Sequence, residues 1–334
     1  MNIINKIKAK GIPGFIAKGI CFLFILFIFD YSIGGALRYL YFKQDAGLLY
    51  RTTYSLDSTT ADFLIFGSST ANHHYDPSIF EKRLDMSVYN TGRDANTIFY
   101  NYAVFQSILK RYRPKAAILD FNVGEFKVMQ DNYDVLSSLL PYYHSNPEVR
   151  PIIQLKGPFE RIKLISKIYP FNSLLFTILV GNTEYNKSRH YTNDQNGFIP
   201  LDHVWKKSII TVEPVNQYKL DSTKIRILKL FVQECESDNI RLYICISPRF
   251  IKYTEKDLSL EIVHKIADEY HVPFYNFSND TLFWNHPGYF ADQVHLNSKG
   301  AEVFSNKVVD KIMHNQEKPL TNEQINLTSK LKEK

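Results

Sequence analysis

Asp62-Phe63-Leu64-Ile65-Phe66-Gly67-Ser68-Ser69 is the stretch on which the reading of this chain turns. Its apolar run, closed by a glycine and two serines, describes a strand buried on both faces that ends in a sharp turn. The same rhythm recurs on either side. Asp76-Pro77 opens a helix through Leu84, with Asp as cap and Pro in the first turn. Ser87-Val88-Tyr89 is a short second strand ending at Asn90-Thr91-Gly92. A helix over about 95–111 follows, with Tyr102, Phe105, Ile108 and Leu109 at helical spacing. Pro114 stops it, and Ala116–Phe121 is the third strand.

The regular pattern returns with a helix from Gln217 to Ser237 and a strand over Ile240–Ile246. A helix over about 255–270, a strand over Val272–Phe277 and a helix from Ser298 to Met313 complete it. Five strands alternating with helices predict an α/β fold with a parallel sheet covered on both faces. Right-handed crossovers then bring every strand's carboxyl end to one edge, where ligands bind. Between these halves, residues of about 125–215 are rich in Tyr, Pro and Asn and read as an insertion. Helices are expected in it near Phe159–Ile168 and Asn172–Val180. The apolar run Leu174–Val180 is too short to span a membrane.

The chain has 334 residues, enough for one large domain or two modest ones. Its 45% hydrophobic and 14% aromatic content suits a packed globule and not a disordered chain. The net charge of +6 is concentrated at the start, in Lys6, Lys8, Lys10 and Lys18. The body is nearly neutral, so no basic stripe remains to track phosphates and nucleic acid is not an expected partner. Gly19–Phe29 is almost purely apolar, and counted from Ile12 the run approaches the ~20 residues that cross a bilayer. Lys18 can snorkel, Tyr31, Tyr39 and Tyr41 suit the far interface, and the basic flank predicts a cytoplasmic start with the bulk of the chain outside. An uncleaved transmembrane anchor is therefore expected over 1–45, an α/β domain over 46–315 and a polar tail over 316–334. A cleaved signal peptide, with Gly34-Gly35-Ala36 near its end, and a buried core helix are the rival readings. Cys21, Cys235 and Cys245 lack metal spacing. Cys235 and Cys245 are expected as buried thiols, with a disulfide as the alternative outside the cytoplasm.

Chemistry is concentrated at the predicted ligand edge. In Asp292-Gln293-Val294-His295 the carboxylate can fold back onto the imidazole Nδ1, fixing the tautomer and freeing Nε2 to accept a proton. The plain alternative is a surface acid next to a helix cap formed by Asn297 or Ser298. Ser69, lifted above the sheet at the end of the first strand, supplies a nucleophile for that base, although Ser68, Ser69 and Thr70 could simply cap a helix. Gly92 and Asn122, after the second and third strands, are candidate oxyanion donors beside the Ser69 amide. Each is equally at home in a turn. His73, His74, Arg93 and Trp284 are candidate substrate contacts. The two histidines also suit the pocket edge or a metal with a further ligand. Arg93-Asp94 suits a local ion pair, and Trp284, with His286 and Tyr289, suits a sugar-facing wall or plain packing.

Four blocks, Gly67-Ser68-Ser69, Asn90-Thr91-Gly92, Asp120-Phe121-Asn122 and Asp292–His295, resemble in order and placement those of the SGNH or GDSL hydrolases. The resemblance covers about 60–125 and 216–314. Ser68 stands where that family usually has Asp, as in its membrane-anchored branch resembling bacterial polysaccharide O-acyltransferase-type proteins, and the third block departs from Gly-x-Asn-Asp. Gly67-x-Ser69-x-Ala71 also half-resembles the α/β-hydrolase elbow, but a serine after the first strand and an acid sharing the histidine's loop favour SGNH. The resemblance implies a three-layer sandwich with flavodoxin-like strand order. It also implies a Ser69-His295-Asp292 acyl-enzyme mechanism without cofactor or metal, and an acylated glycan or other ester as substrate. A membrane acyl-donor protein is the implied partner if the enzyme is a transferase. The alternative is a catalytically silent glycan-binding or assembly protein on the same scaffold.

Overall fold

A computed structural model describes residues 2–184, 194–206, 211–213, 218–253 and 256–317. The expected strand at 62–66 is β1, Phe63–Phe66, with all four residues buried. It is followed by β2 (Val88–Asn90), β3 (Ala116–Asp120), β4 (Thr211–Glu213), β5 (Arg241–Ile246), β6 (Ile251–Tyr253) and β7 (Phe274–Asn276). Five of them form one parallel sheet in the order β2-β1-β3-β5-β7, with Phe63 opposite Val88, Ile65 opposite Ile118, Ile118 opposite Tyr243 and Ile244 opposite Phe274. This is the flavodoxin-like order, whose connections reverse direction between β1 and β3. The β4–β6 pair is a separate two-stranded parallel sheet that the sequence pattern did not announce.

Side chains alternate across β1 and so build two cores. Phe63 and Ile65 join Phe80, Phe304, Val308 and Ile312 on the face covered by the helices Pro77–Leu84 and Ser298–Glu317. Phe66 meets Phe105 and Phe231 on the other, covered by the helices Ile98–Leu109 and Ser222–Ser237. Phe105 and Phe231 stack at 4.3 Å. Truncating either ring at such a site would cost about 3–5 kcal/mol.

Caps decide where several helices begin. Asp76 accepts from the Ser78 amide, as read from the sequence. The helix expected from Gln217 instead starts at Ser222, because Asp221 accepts from the Thr223 and Lys224 amides; Gln217 itself lies outside the described residues. The helix of about 255–270 is Leu258–Glu269, capped by Asp257. In the insertion, the helix expected over Phe159–Ile168 shrinks to one turn, Glu160–Lys163, and the second becomes a 3-10 segment, Tyr169–Leu174, running into Leu175–Gly181.

Contacts divide the chain into two compact units, Met1–Thr53 with Tyr133–Tyr191, and Tyr54–Asn132 with Thr192–Lys334. The first contains the helix Asn2–Phe42, of which Gly14–Phe42 is long and apolar enough to cross a membrane. Ile20, Phe22, Phe24, Phe27 and Phe29 are exposed on it, so it is not a core helix. Cys21 is exposed, and Cys235 and Cys245 are buried free thiols.

Candidate active site

The second unit holds every residue of the predicted site. Gly67 leaves β1 at φ +155°, a conformation for which a side chain has no room: a Cβ would lie 2.6 Å from that of Ala71. The turn delivers Ser69 to the first position of the helix Ser69–His74, where its N–H has no partner within the helix. Ser69 keeps partial solvent access while Thr70 through His74 are buried.

From the far end of the chain, Phe290 and Leu296 pair across a tight loop, and the Ala291 N–H donates to the His295 carbonyl at 2.8 Å. Inside it, Asp292 Oδ1 accepts from the amides of Val294 (2.7 Å) and His295 (2.8 Å), and Oδ2 faces His295 Nδ1 at 2.9 Å. His295 Nε2 lies 2.8 Å from Ser69 Oγ. Side chains 226 positions apart thus form a continuous hydrogen-bonded chain of carboxylate, imidazole and hydroxyl. Burial pushes the Asp292 carboxyl up, but the bonds from the His295 ring and the two amides outweigh it and hold the group below its ordinary range. An anion fixed in this way keeps the Nδ1 proton in place and leaves Nε2 as the acceptor.

Asn122 follows β3 and reaches the residues on either side of Ser69 in sequence. Its Oδ1 accepts from Arg249 Nη2 (2.7 Å) and lies 3.3 Å from Thr70 Oγ1, and its Nδ2 donates to Ser68 Oγ at 2.8 Å. The amide's donor end is therefore held at Ser68, the residue before Ser69. Gly92 is placed differently from the expectation of a bare donor. Its N–H is occupied by Asn90 Oδ1 at 2.9 Å, and a Cβ there would lie 2.6 Å from the Asn72 nitrogen. The glycine is accounted for by this close approach to the serine's helix.

His73 and His74 differ in environment. The His73 Nδ1 bonds the Ile199 carbonyl (2.7 Å), Nε2 lies 3.5 Å from Asp94, and the ring meets His295 edge-on at 5.4 Å. His74 is fully buried. Its Nε2 accepts the Leu296 N–H at 2.9 Å, whereas Nδ1 has no partner among the described residues. Burial, and then the neighbouring His295, His73 and Arg249, push its pKa well below the ordinary value. Arg93 is buried with its guanidinium over the Tyr100 ring, 5.8 Å from the centroid. The Trp284 indole donates to the Arg249 carbonyl at 3.1 Å, which ties it to the segment carrying the Asn122 brace.

Sequence reasoning missed three parts of this arrangement. Arg249 was one, although it leaves β5 at the same edge as the recognised blocks. The role of buried Asp120, quoted from the sequence only as the head of the third block, was another. Its carboxylate accepts from Thr70, Tyr75 and Ser247 beneath the serine's helix, and burial raises its pKa against the pull of those bonds. The third is a strap, residues 194–206, tied to the site by main-chain bonds. Asn196 O accepts from the Asn90 N–H, Asn72 O from the Ile199 N–H, Leu201 O from the Ser298 N–H, and Phe290 O from the Trp205 N–H. A separate cleft of about 480 Å³ lies at the sheet's opposite edge, between the start of β5 and the segment leading into β7. Among the described residues no His, Cys, Asp and Glu side chains group as a metal site.

No protein-family model matches the chain, and no curated protein matches it. Among solved structures, an acetyl xylan esterase, AlAXEase, aligns at 12% identity over 76% of this chain and 98% of its own, with a TM-score of 0.37. A candidate acylhydrolase from Bacteroides fragilis NCTC 9343 aligns at 12% identity over 81% and 99%, with a TM-score of 0.39. Likeness at this level carries no argument about chemistry, which rests on the side chains described above.

Proposed function

We propose that the chain is a serine esterase or O-acyltransferase that works through an acyl-enzyme. The observation that carries this reading is the Asp292–His295–Ser69 chain, with spacings of 2.9 and 2.8 Å. In the first step His295 Nε2 takes the Ser69 proton as Oγ attacks an ester carbonyl, and the imidazolium returns that proton to the departing alcohol. The Ser69 N–H and the second Asn122 Nδ2 hydrogen receive the oxyanion, each worth about 2.7–4 kcal/mol of barrier. Water or an acceptor hydroxyl then attacks the acyl-enzyme, with His295 as base, and Ser69 recovers its proton.

The finer reading follows from the anchor. With the helix Gly14–Phe42 in a membrane and the basic start on the cytoplasmic side, the site would work outside the cytoplasm. Acyl esters of surface glycans, acetyl esters above all, are then the proposed substrates. A transferase would draw its acyl group from a membrane donor protein.

Labelling of the full-length protein with a fluorophosphonate, beside hydrolysis of p-nitrophenyl acetate with and without a glycan acceptor, tests this. Labelling is expected to vanish in Ser69→Ala, with turnover lower by about 10⁴-fold or more. Equal labelling of wild type and variant would remove Ser69 from the mechanism, and labelling of neither would leave a silent scaffold. Product formed only with acceptor would identify a transferase.

A further inference from the structure

The insertion bears an apolar surface that the proposed chemistry does not use. Phe159, Ile162 and Ile165 are 64%, 64% and 75% exposed, and Leu175, Phe176 and Leu179 are 44%, 79% and 61% exposed. Isolated exposed apolar residues are ordinary, but these six lie within 21 positions and flank one short segment, Ser166–Ile168. That segment is fastened to the apolar helix of the same unit. Asp30, the acid within Gly14–Phe42, accepts from Ser166 Oγ (2.5 Å), the Lys167 N–H (2.7 Å) and the Ile168 N–H (3.3 Å). One turn further on, Gly34 lets the chain approach so closely that a Cβ would lie 2.4 Å from the Lys167 carbonyl carbon.

These bonds set a depth. About twenty residues counted from Phe15 carry a helix across the ~30 Å of a hydrocarbon core, to Gly34. The stretch Asp30–Gly34, and Ser166–Ile168 with it, then occupies the last ~6 Å of the hydrocarbon core up to its outer boundary. A carboxylate there needs donors that lipid lacks, and the insertion supplies three. The flanking sequence also suits an interface. Arg161 and Lys167 are exposed among the apolar residues, so their charged ends can reach headgroups while the rings and branched chains enter the acyl region.

We infer that residues 159–179 form a second membrane contact: a collar lying in the outer interfacial layer against the anchor helix, with lipid as its occupant. The inference rests on the reading of Gly14–Phe42 as an anchor. It makes the insertion a device that holds the first unit at the bilayer surface.

Full-length protein in phosphatidylcholine–phosphatidylglycerol vesicles tests it, using acyl chains that are plain, brominated near the headgroup end to report the collar, or brominated near the terminal methyl to report the anchor. Phe159→Trp and Phe176→Trp report the collar, Phe24→Trp the anchor, and wild type supplies the background of Trp205 and Trp284. The emission added by both collar variants is expected to be blue-shifted in plain vesicles and largely lost in brominated ones. Quenching of Phe24→Trp without quenching of either collar variant would overturn the collar and leave the anchor standing. Acrylamide then tells a water-exposed surface from one covered by a second copy of the chain, and either result counts against lipid. An unquenched Phe24→Trp would remove anchor and collar together, while the fluorophosphonate result would be untouched.

Discussion

Arg249 donates to Asn122 Oδ1 at 2.7 Å and thereby decides which end of that amide faces Ser68, beside the proposed nucleophile. Two roles for the arginine make different predictions. If it acts only by orienting the amide, Asn122→Ala should lower kcat by about 10²–10³-fold with little change in KM. Arg249→Ala should lower kcat by less, and should cost nothing further when added to Asn122→Ala. A double-mutant cycle on p-nitrophenyl acetate turnover measures this coupling. Additive losses would instead assign Arg249 a direct contact with substrate. At this scale the chain Ser69–His295–Asp292 was legible because each member has a recognisable neighbourhood: a glycine turn, and an acid three positions before a base. Arg249 has no such local mark. Only the knowledge that β5 also ends at the ligand edge could have drawn attention to it.

The helix Ser69–His74 is only six residues long, and its stability comes from what its buried side chains reach. His74 shows the cost. Its pKa is pushed well below the ordinary value of about 6.5, so the unfolded chain binds a proton there before the folded one does. Stability is therefore expected to be fully present above pH 6.5 and to fall as the pH drops below it. Taken alone the loss is at most about 1.4 kcal/mol per pH unit. His74→Gln, whose carbonyl can still accept the Leu296 amide, should flatten the melting temperature between pH 5 and pH 6.5. An unchanged slope would locate the acid sensitivity elsewhere. The five strands of the main sheet were the most legible elements, since apolar runs bounded by turn residues admit few readings, whereas β4 and β6 carry no such run. Helix starts moved to wherever an Asp side chain could cap, at Asp221 and Asp257. The first insertion helix was overextended, one turn standing where Phe159–Ile168 was expected, and Phe159, Ile162 and Ile165 face outward. Periodicity records that a face is apolar and says nothing of what it meets.

At the scale of the molecule, the pairing of the first fifty residues with a segment over a hundred positions later was not legible. No pattern within either stretch names the other. Within that unit Tyr41 is 1% exposed, its ring meets Tyr142 at 5.9 Å and Phe171 at 5.7 Å, and the Leu40 carbonyl accepts from Asn182. A fragment starting at residue 45 would lose these contacts together with the bonds to Asp30. Limited proteolysis of such a fragment is expected to cut first within 133–184, while the same segment resists in the full-length protein. Equal resistance would show that the insertion holds its structure without the helix. The convergence of residues 69 and 295 was legible for the opposite reason: a parallel sheet gathers all its strand exits at one edge, however far apart they lie in sequence.

The strap of residues 194–206 is bound through backbone atoms at Asn90, Asn72, Ser298 and Phe290. Ties of that kind ask little of most side chains and are strict about length. Gly197 is the exception, since at φ +86° a Cβ would lie 1.9 Å from the Asn90 carbonyl oxygen. Adding or removing one residue between two ties throws the rest out of phase. A chimera that exchanges the middle of this protein must therefore rejoin the native chain ahead of the strap and preserve its residue count.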